Sequence, residues 1–448
     1  MTPRRTLLAW ALLATLALCA WPARAGRVTV RLFSNLRIET LNVSFDLGEY
    51  DLMAGDSVLE AHVGEGMSVI LRASKEGVRV AINDYDYGTF PTVRLRANDT
   101  ACILCLNPAN SKQRTYEGDL LLSTISPTAL KVVNEVEFET YIAGVTQSEI
   151  YGQLPDIFRV QATISRTWAL RNMGKHKRDG YNFCDQVHCQ AYLNRCVRPD
   201  IMLGVISSFG ETIVDDNGAL IETPFHANSG GETANSEDVW SAALPYLRGV
   251  PDTFSCRMRQ TEWTKVIPEQ KWLSYFKNTH KLTTHDDSVR TLLLSFSQDS
   301  GRQARLMDVR LTRIRVDWKL RSTYFTVARD SANHNVVLHG RGYGHGVGLS
   351  QEGAIRMANL GYSTDSIIRH YYTGAHVVNS GDVPQAYVHR YINGIEQIIA
   401  EDKAHPGKTK SKRDDWLGRL FRIHDRQERE ETYEPSQQDL ERDWEYEW

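Results

Sequence analysis

Apolar residues recur at Phe138, Tyr141, Ile142 and Val145, the i, i+3, i+4, i+7 spacing that puts four side chains on one helix face, and this predicts a helix beginning near Glu137. Glu149 continues the same face at i+11; counting about 100° per residue, it lies within roughly 20–40° of Phe138, Ile142 and Val145. Its neighbour Glu139 points off that stripe. A second stripe of Ile157, Val160, Ile164 and Trp168 predicts a helix over Asp156 to Arg171, with Pro155 suited to its start and Arg166 and Thr167 at its edge. The short link from Tyr151 to Leu154 would fold the two into a hairpin with Glu149 near the corner. Upstream the texture changes. From Gly26 to about Ala129, short β-branched runs (Val28 to Leu32, Ser68 to Leu71, Val78 to Ile82) broken by Gly, Asn and Asp predict a β-rich N-terminal module. From about Lys131 to Val378 helical and strand-like segments alternate. Residues 393–448 are polar and charged and are expected to be largely disordered, with one short amphipathic helix around Trp416, Leu417, Leu420, Phe421 and Ile423.

A carboxylate at the end of an apolar stripe is uncommon, because burying its ionised form costs several kcal/mol unless it is paired. Desolvation raises the pKa and keeps the group protonated near neutral pH, the state a general acid needs. The plainer reading is that the helix ends at Glu149 and the side chain caps a neighbour or meets water.

The N-terminus bears on where the chain works. A basic start (Met1 to Arg5), an apolar run (Leu7 to Trp21) and Ala23-Arg24-Ala25 before Gly26 have the order of a signal peptide covering residues 1–25. The expectation is export to the periplasm, cell envelope or extracellular space, with no transmembrane segment in the mature chain. A lipid anchor on Cys19 is the lesser alternative, since Leu18 stands where a small residue is expected. A net charge of −3 with no basic face argues against nucleic acid as partner. Beyond Cys19 six cysteines remain: Cys102, Cys105, Cys184, Cys189, Cys196 and Cys256. An even count in an exported chain suggests disulfides. Cys102 and Cys105 lack the βαβ surroundings of a redox pair.

Gly342 to Ala354 reads GYGHGVGLSQEGA, dense enough in glycine to let another group approach the backbone, with His345 and Gln351 as its polar side chains and a helix expected over Glu352 to Leu360. It lacks the G-K-[ST] ending of a phosphate loop. No G-x-S-x-G elbow points to a serine hydrolase. Tyr371-Tyr372 can stack on sugar rings or sit in the core. Cys184, His188 and Cys189 lie within six residues, between His176 and Cys196, a spacing that suits tetrahedral zinc or a disulfide.

Taken in order, FETYIAGVTQSEI, RVQATISRTWALR, CDQVHCQAY, FHANSGGETANSEDVW, LPYLRGVPD, LRSTYFTV, GRGYGHGVGLSQEGA and IIRHYYTG resemble the SpoIID/LytB family from about Lys131 to Val378. The resemblance implies an α+β fold: a SpoIID-like domain over 130–380 with an inserted β-rich subdomain at about 254–325, preceded by the β-rich module at 26–129. It also implies a peptidoglycan lytic transglycosylase cleaving the bond between N-acetylmuramic acid and N-acetylglucosamine in glycan strands, with Glu149 as catalytic acid and base. Periodicity and resemblance select Glu149 separately. Ile150 stands where the family commonly has methionine, and the Tyr151-Gly152-Gln153 linker is unusual.

Around this acid, His226, Asn228, Ser229, Tyr343, His345, Ser350 and Gln351 are the expected substrate contacts; the alternative is polar loops bonded to themselves. The resemblance further implies a structural zinc on His176, Cys184 and Cys189, a Cys184–Cys189 disulfide being the competing reading; catalysis is expected to need no cofactor. Expected partners are peptidoglycan strands and a cell-wall amidase. The second functional reading is a non-catalytic glycan-binding protein that recruits or enhances such an amidase, and a third is a structural envelope protein.

Overall fold

Strand Arg27–Leu32 points Val28, Val30 and Leu32 inward and Arg27, Thr29 and Arg31 outward, the two-residue period of a strand with one covered face. It is the organising strand of the computed structural model, which describes residues 26–83 and 85–379. On one side it pairs antiparallel with Ala129–Glu137, Val30 opposite Asn134. On the other it pairs parallel with Phe183–Cys184. The seven-stranded sheet continues from Ala129–Glu137 through Asp119–Ser126, Val93–Ala97, Tyr50–Ala54 and Ser57–Val63. A second, six-stranded sheet runs in spatial order Arg114–Glu117, Ile103–Pro108, Thr40–Leu47, Val69–Ala73, Val78–Ile82 and Tyr85–Phe90. Strands Asp119–Ser126 and Ala129–Glu137 of the first sheet lie against Val69–Ala73 of the second. The fold is α+β with a β-rich N-terminal part. The expected signal segment at 1–25 and the tail at 393–448 lie outside the described residues.

Strand Ala129–Glu137 passes directly into helix α1 (Phe138–Glu149), and the turn around Gly152 leads to helix α2 (Pro155–Arg171). Every residue of α1 from Phe138 to Thr146 is buried, so its apolar stripe meets the core while its remaining faces meet α2 and a loop. Proline at the first position of α2 costs no helical hydrogen bond, and Asp156 in the first turn and Arg171 in the last match the helix dipole. Glu139, off the apolar stripe, turns towards α2 and is buried against Arg166.

The segment at 254–325, expected as β-rich, carries more helix than strand. Helices Glu269–His280, Asp287–Leu294 and Leu311–Asp317 pack with the antiparallel sheet Glu262–Pro268, Asn335–Arg341, Tyr324–Asp330. Trp272, Leu273 and Phe276 share a helix face buried against Phe325, Val336 and Leu338, a 3.6-residue period rather than a strand's alternation. That cluster extends past Phe325 to Leu338.

Among the described residues the six cysteines, for which disulfides were expected, are free thiols in this structure. The sulfurs of Cys102 and Cys196 rest on the carbonyls of Glu49 and Arg198. Among the described residues no helix is long and apolar enough to cross a membrane.

Candidate active site

Glu149 closes α1 half-buried, with Oε1 accepting the Ala191 N–H at 2.5 Å. Burial pushes its carboxyl above the usual carboxylate range, while the Ala191 bond pulls the other way. The two residues before it are tied to the same loop. Gln147 Oε1 accepts from Val197 N at 2.8 Å, Gln147 Nε2 donates to Arg195 O at 3.1 Å, and Ser148 Oγ accepts from Leu193 N at 3.1 Å. Gly144 makes this close fit practicable: a Cβ there would lie 2.5 Å from the Tyr192 ring and 2.7 Å from Asn194 O. The whole last turn of α1 is thereby clamped, and the carboxyl of Glu149 with it.

Gln351 reaches the acid from the glycine-rich segment, its Nε2 donating to Glu149 O at 2.8 Å. Ser350 caps helix Gln351–Asn359 by accepting from Gly353 N. The expected contacts Asn228, Ser229 and Ser350 are at most 1% exposed, and their polar atoms bond within the protein. Asn228 Nδ2 donates to Glu352 Oε2 at 2.6 Å, and the Tyr151 hydroxyl donates to Glu352 Oε1 at 2.8 Å. The Ser229 hydroxyl donates to Asp252 Oδ2 at 2.7 Å, and Tyr371 donates to Asp252 Oδ1 at 3.0 Å. Of the two readings for these residues, the geometry fits that of loops bonded to one another. Tyr371 and Tyr372 are fully buried, so they belong to the core. Asp252 and Glu352 escaped the sequence reading because nothing local distinguishes a buried carboxylate whose partners are distant in the chain.

His226 and His345 meet with ring centroids 5.5 Å apart. Strand Phe225–His226 pairs in parallel with Leu349–Ser350, which sets His226 beside Ser350 and so near Gln351. His226 Nδ1 lies 3.2 Å from Val347 O, and its buried Nε2 has no hydrogen-bond partner among the described residues. His345 Nδ1 accepts from Val347 N at 3.1 Å. Burial, aided by the neighbouring His345, pushes His226 well below its ordinary value; burial with Arg315 pushes His345 down to about 4. Both rings are neutral at neutral pH. Gly344 allows the pair to form, having φ +115° and lying where a Cβ would come 2.7 Å from His226 Cβ. Tyr343 is exposed, and so is Trp240, whose ring lies 5.2 Å from that of His345.

The loop that holds Glu149 also carries a compact donor cluster. Ligand atoms of His176, Cys184, His188 and Cys189 all lie within 4.8 Å of one another. His188, beside Cys189 in sequence, joins the three residues expected as ligands. His176 Nδ1 lies 3.0 Å from Asp179 Oδ2, and its Nε2 is buried without a partner. An orphaned imidazole nitrogen, oriented by a carboxylate on the far ring atom and facing two thiols, fits a tetrahedral N2S2 zinc set.

Residues 126–205 match the SpoIID family, described as stage II sporulation protein. The match takes in α1, α2, Glu149 and the donor cluster. Over these residues the chain is similar to the SpoIID family. It is similar to stage II sporulation protein D of Bacillus subtilis, 25% identical over 310 residues that cover 64% of this chain and 86% of that protein. The Bacillus amyloliquefaciens protein of the same name is 27% identical over 282 residues, 57% of this chain and 78% of that one. An amidase enhancer of Bacillus subtilis is 26% identical over 281 residues, 50% of this chain and 39% of the enhancer. These alignments are longer than the 80 residues of the SpoIID match, so the likeness extends beyond α1, α2 and the cysteine loop.

Proposed function

We propose that this exported protein works on the bacterial cell wall as a peptidoglycan lytic transglycosylase, with Glu149 the only group that moves a proton. The observation carrying this reading is Glu149 itself: a half-buried carboxyl that burial pushes above the usual carboxylate range, fixed at a helix end by the Ala191 N–H. In the first step the carboxyl gives its proton to the β-1,4 oxygen between N-acetylmuramic acid and N-acetylglucosamine, and the bond from that oxygen to the muramoyl anomeric carbon breaks. In the second the resulting carboxylate takes the proton of the muramoyl 6-hydroxyl as that oxygen bonds to the anomeric carbon. The proton lost in one step is regained in the other, and no water is consumed. A hydrolase would need a second carboxylate to activate water or attack the sugar. Glu352, in the first turn of helix Gln351–Asn359, and Asp252 are fully buried and take up donors from Tyr151, Asn228, Ser229 and Tyr371, which suits them to support rather than to that task.

His176, Cys184, His188 and Cys189 would hold a zinc ion whose work is structural, fixing the loop that supplies Ala191. The arrangement of a SpoIID-like core with residues 254–325 inserted, preceded by the module at 26–129, is part of the same proposal.

The likeness to an amidase enhancer supports a second reading, a glycan-binding protein that recruits or stimulates a cell-wall amidase without cutting the strand. Mass spectrometry of purified glycan strands after incubation separates the two. Anhydromuramoyl ends are expected; reducing ends alone would indicate a hydrolase, and intact strands that nonetheless bind would establish the second reading.

A further inference from the structure

Five aromatic side chains are exposed among the described residues: Tyr85, Tyr151, Trp240, Tyr343 and Tyr362. Three of them stand on the segments that build the candidate site. Tyr151 follows Glu149 by two residues, with its hydroxyl turned inward to Glu352 and the residue 37% exposed. Tyr343 and Trp240, 44% and 42% exposed, lie on the two segments that bring up His345.

The backbones of Trp240 and Tyr343, and of Ser229 and Glu232 between the site strands, are held by hydrogen bonds. Arg310 Nη2 donates to the carbonyls of Trp240 at 2.9 Å and Glu237 at 3.0 Å. Arg302 donates to Ser229 O at 2.6 Å and Glu232 O at 2.7 Å. Tyr343 is bonded through both backbone groups to Asn228, at 2.8 and 3.1 Å. An exposed tryptophan on a backbone gripped this way keeps part of its apolar ring in solvent. A fixed, open aromatic face is what a pyranose ring needs, because its apolar C–H face packs on the ring while its hydroxyls stay in water.

Contacts link these rings to the acid: Glu149 to Gln351, Gln351 through Ser350 to His226, His226 to His345, and His345 to Trp240. We infer that Trp240 and Tyr343 are stacking platforms for sugar rings beyond the bond being cut, with Tyr151 the platform beside it, so that the ligand is an extended hexosamine strand rather than a disaccharide. This rests on the glycan-directed reading above and adds a length requirement and the residues that impose it.

The test uses glycan oligosaccharides of graded length, with binding measured calorimetrically on the full chain carrying Glu149→Gln. Adding Trp240→Ala is expected to weaken binding of long strands about ten-fold, the size of a lost aromatic anchor, and to leave a disaccharide's binding unchanged. Trp240→Phe keeps a stacking face and should retain most of the affinity. In the otherwise unaltered protein, Trp240→Ala should raise KM for long strands with little change in kcat. An unchanged melting temperature confirms that the variants fold. Equal long-strand binding by the parent and Trp240→Ala, or equal loss in the Ala and Phe variants, would overturn the inference. The two ideas fail separately: absence of cleavage with length-dependent, Trp240-dependent binding removes the enzyme and keeps the platforms, whereas cleavage indifferent to Trp240 does the reverse.

Discussion

Glu139 and Arg166 join the two helices of the hairpin through a two-pronged ion pair, Arg166 Nε to Oε1 at 2.8 Å and Nη2 to Oε2 at 2.7 Å, with both side chains buried. Arg166 also donates to Glu211 O at 3.1 Å. Removing one partner strands the other's charge, which typically costs ~3–5 kcal/mol. Glu139→Gln is therefore expected to lower the unfolding free energy measured by urea titration by that amount, and replacing both residues with Met and Leu should restore part of the loss.

Glu149→Gln keeps the shape of the side chain and its bond to Ala191 but cannot cycle a proton. Cleavage should fall by ~10²–10⁴, the usual contribution of a general acid, while strand binding and melting temperature hold. Substantial residual cleavage by the purified variant would remove Glu149 from the chemistry.

The pH profile follows from the direction of the Glu149 shift. Its folded carboxyl lies above the usual range because of burial, so the proton-donating form is present below that raised value and is lost as pH rises through it. Activity should show an alkaline limb set by this group. Asp at the same position, pulled back from Ala191, should lower kcat and shift the limb.

His226 and His345 make stability sensitive to acid. In the unfolded chain they take protons near pH 6.5, but in the fold His345 does so only at about 4 and His226 well below its ordinary value. The unfolded state thus binds more protons across that window, so stability is complete above pH 6.5 and is lost as pH falls towards 4, at no more than about 1.4 kcal/mol per pH unit for each histidine. Thermal unfolding of His345→Gln against the parent should show a shallower fall between pH 6.5 and 4.

With the cysteines as free thiols and four donors gathered, a strong chelator should lower the melting temperature and a reductant should not. His176→Ala should reproduce the chelator's effect and make the protein insensitive to it. Indifference of the parent to both reagents would mark the cluster as buried thiols alone.

The elements legible in the sequence are those whose pattern is local. The stripe from Phe138 to Val145 located α1, Pro155 marked the start of α2, and the alternation in Val78–Ile82 gave that strand its observed ends. The helix expected from Glu352 begins one residue earlier, where Ser350 caps it. The inward turn of Asn228, Ser229 and Ser350 was hidden because polar residues beside glycines read as surface loop until Asp252 and Glu352 are known to face them. The helices of the 254–325 segment were hidden by charge: Lys271 and Lys277 flank Trp272, Leu273 and Phe276 on the sequence line, while both lie exposed on the helix surface. Trp240 entered only as the last residue of FHANSGGETANSEDVW; its exposure was not legible there, and Arg310, which holds its carbonyl, lies in another part of the chain.

The place of Arg27–Leu32 between two late partners sets an order of events during folding. Hairpins such as Val69–Ala73 with Val78–Ile82 can close as soon as they are made, but Val30 must await Asn134 and then Phe183, and such distant closures are slow. Until then the strand has two open edges of unpaired N–H and C=O groups beside an apolar face, a condition that invites pairing with other chains. Amides of Val69–Ala73 should gain protection in pulsed hydrogen exchange before those of Arg27–Leu32. The loop that steadies Glu149 hangs from Phe183–Cys184, and Asn182 and Asp185 bond to Thr29 and Arg31 on either side of it. Glu149 therefore reaches its place at the end of α1 only when Arg27–Leu32, the first strand among the described residues, becomes one of the last to be paired.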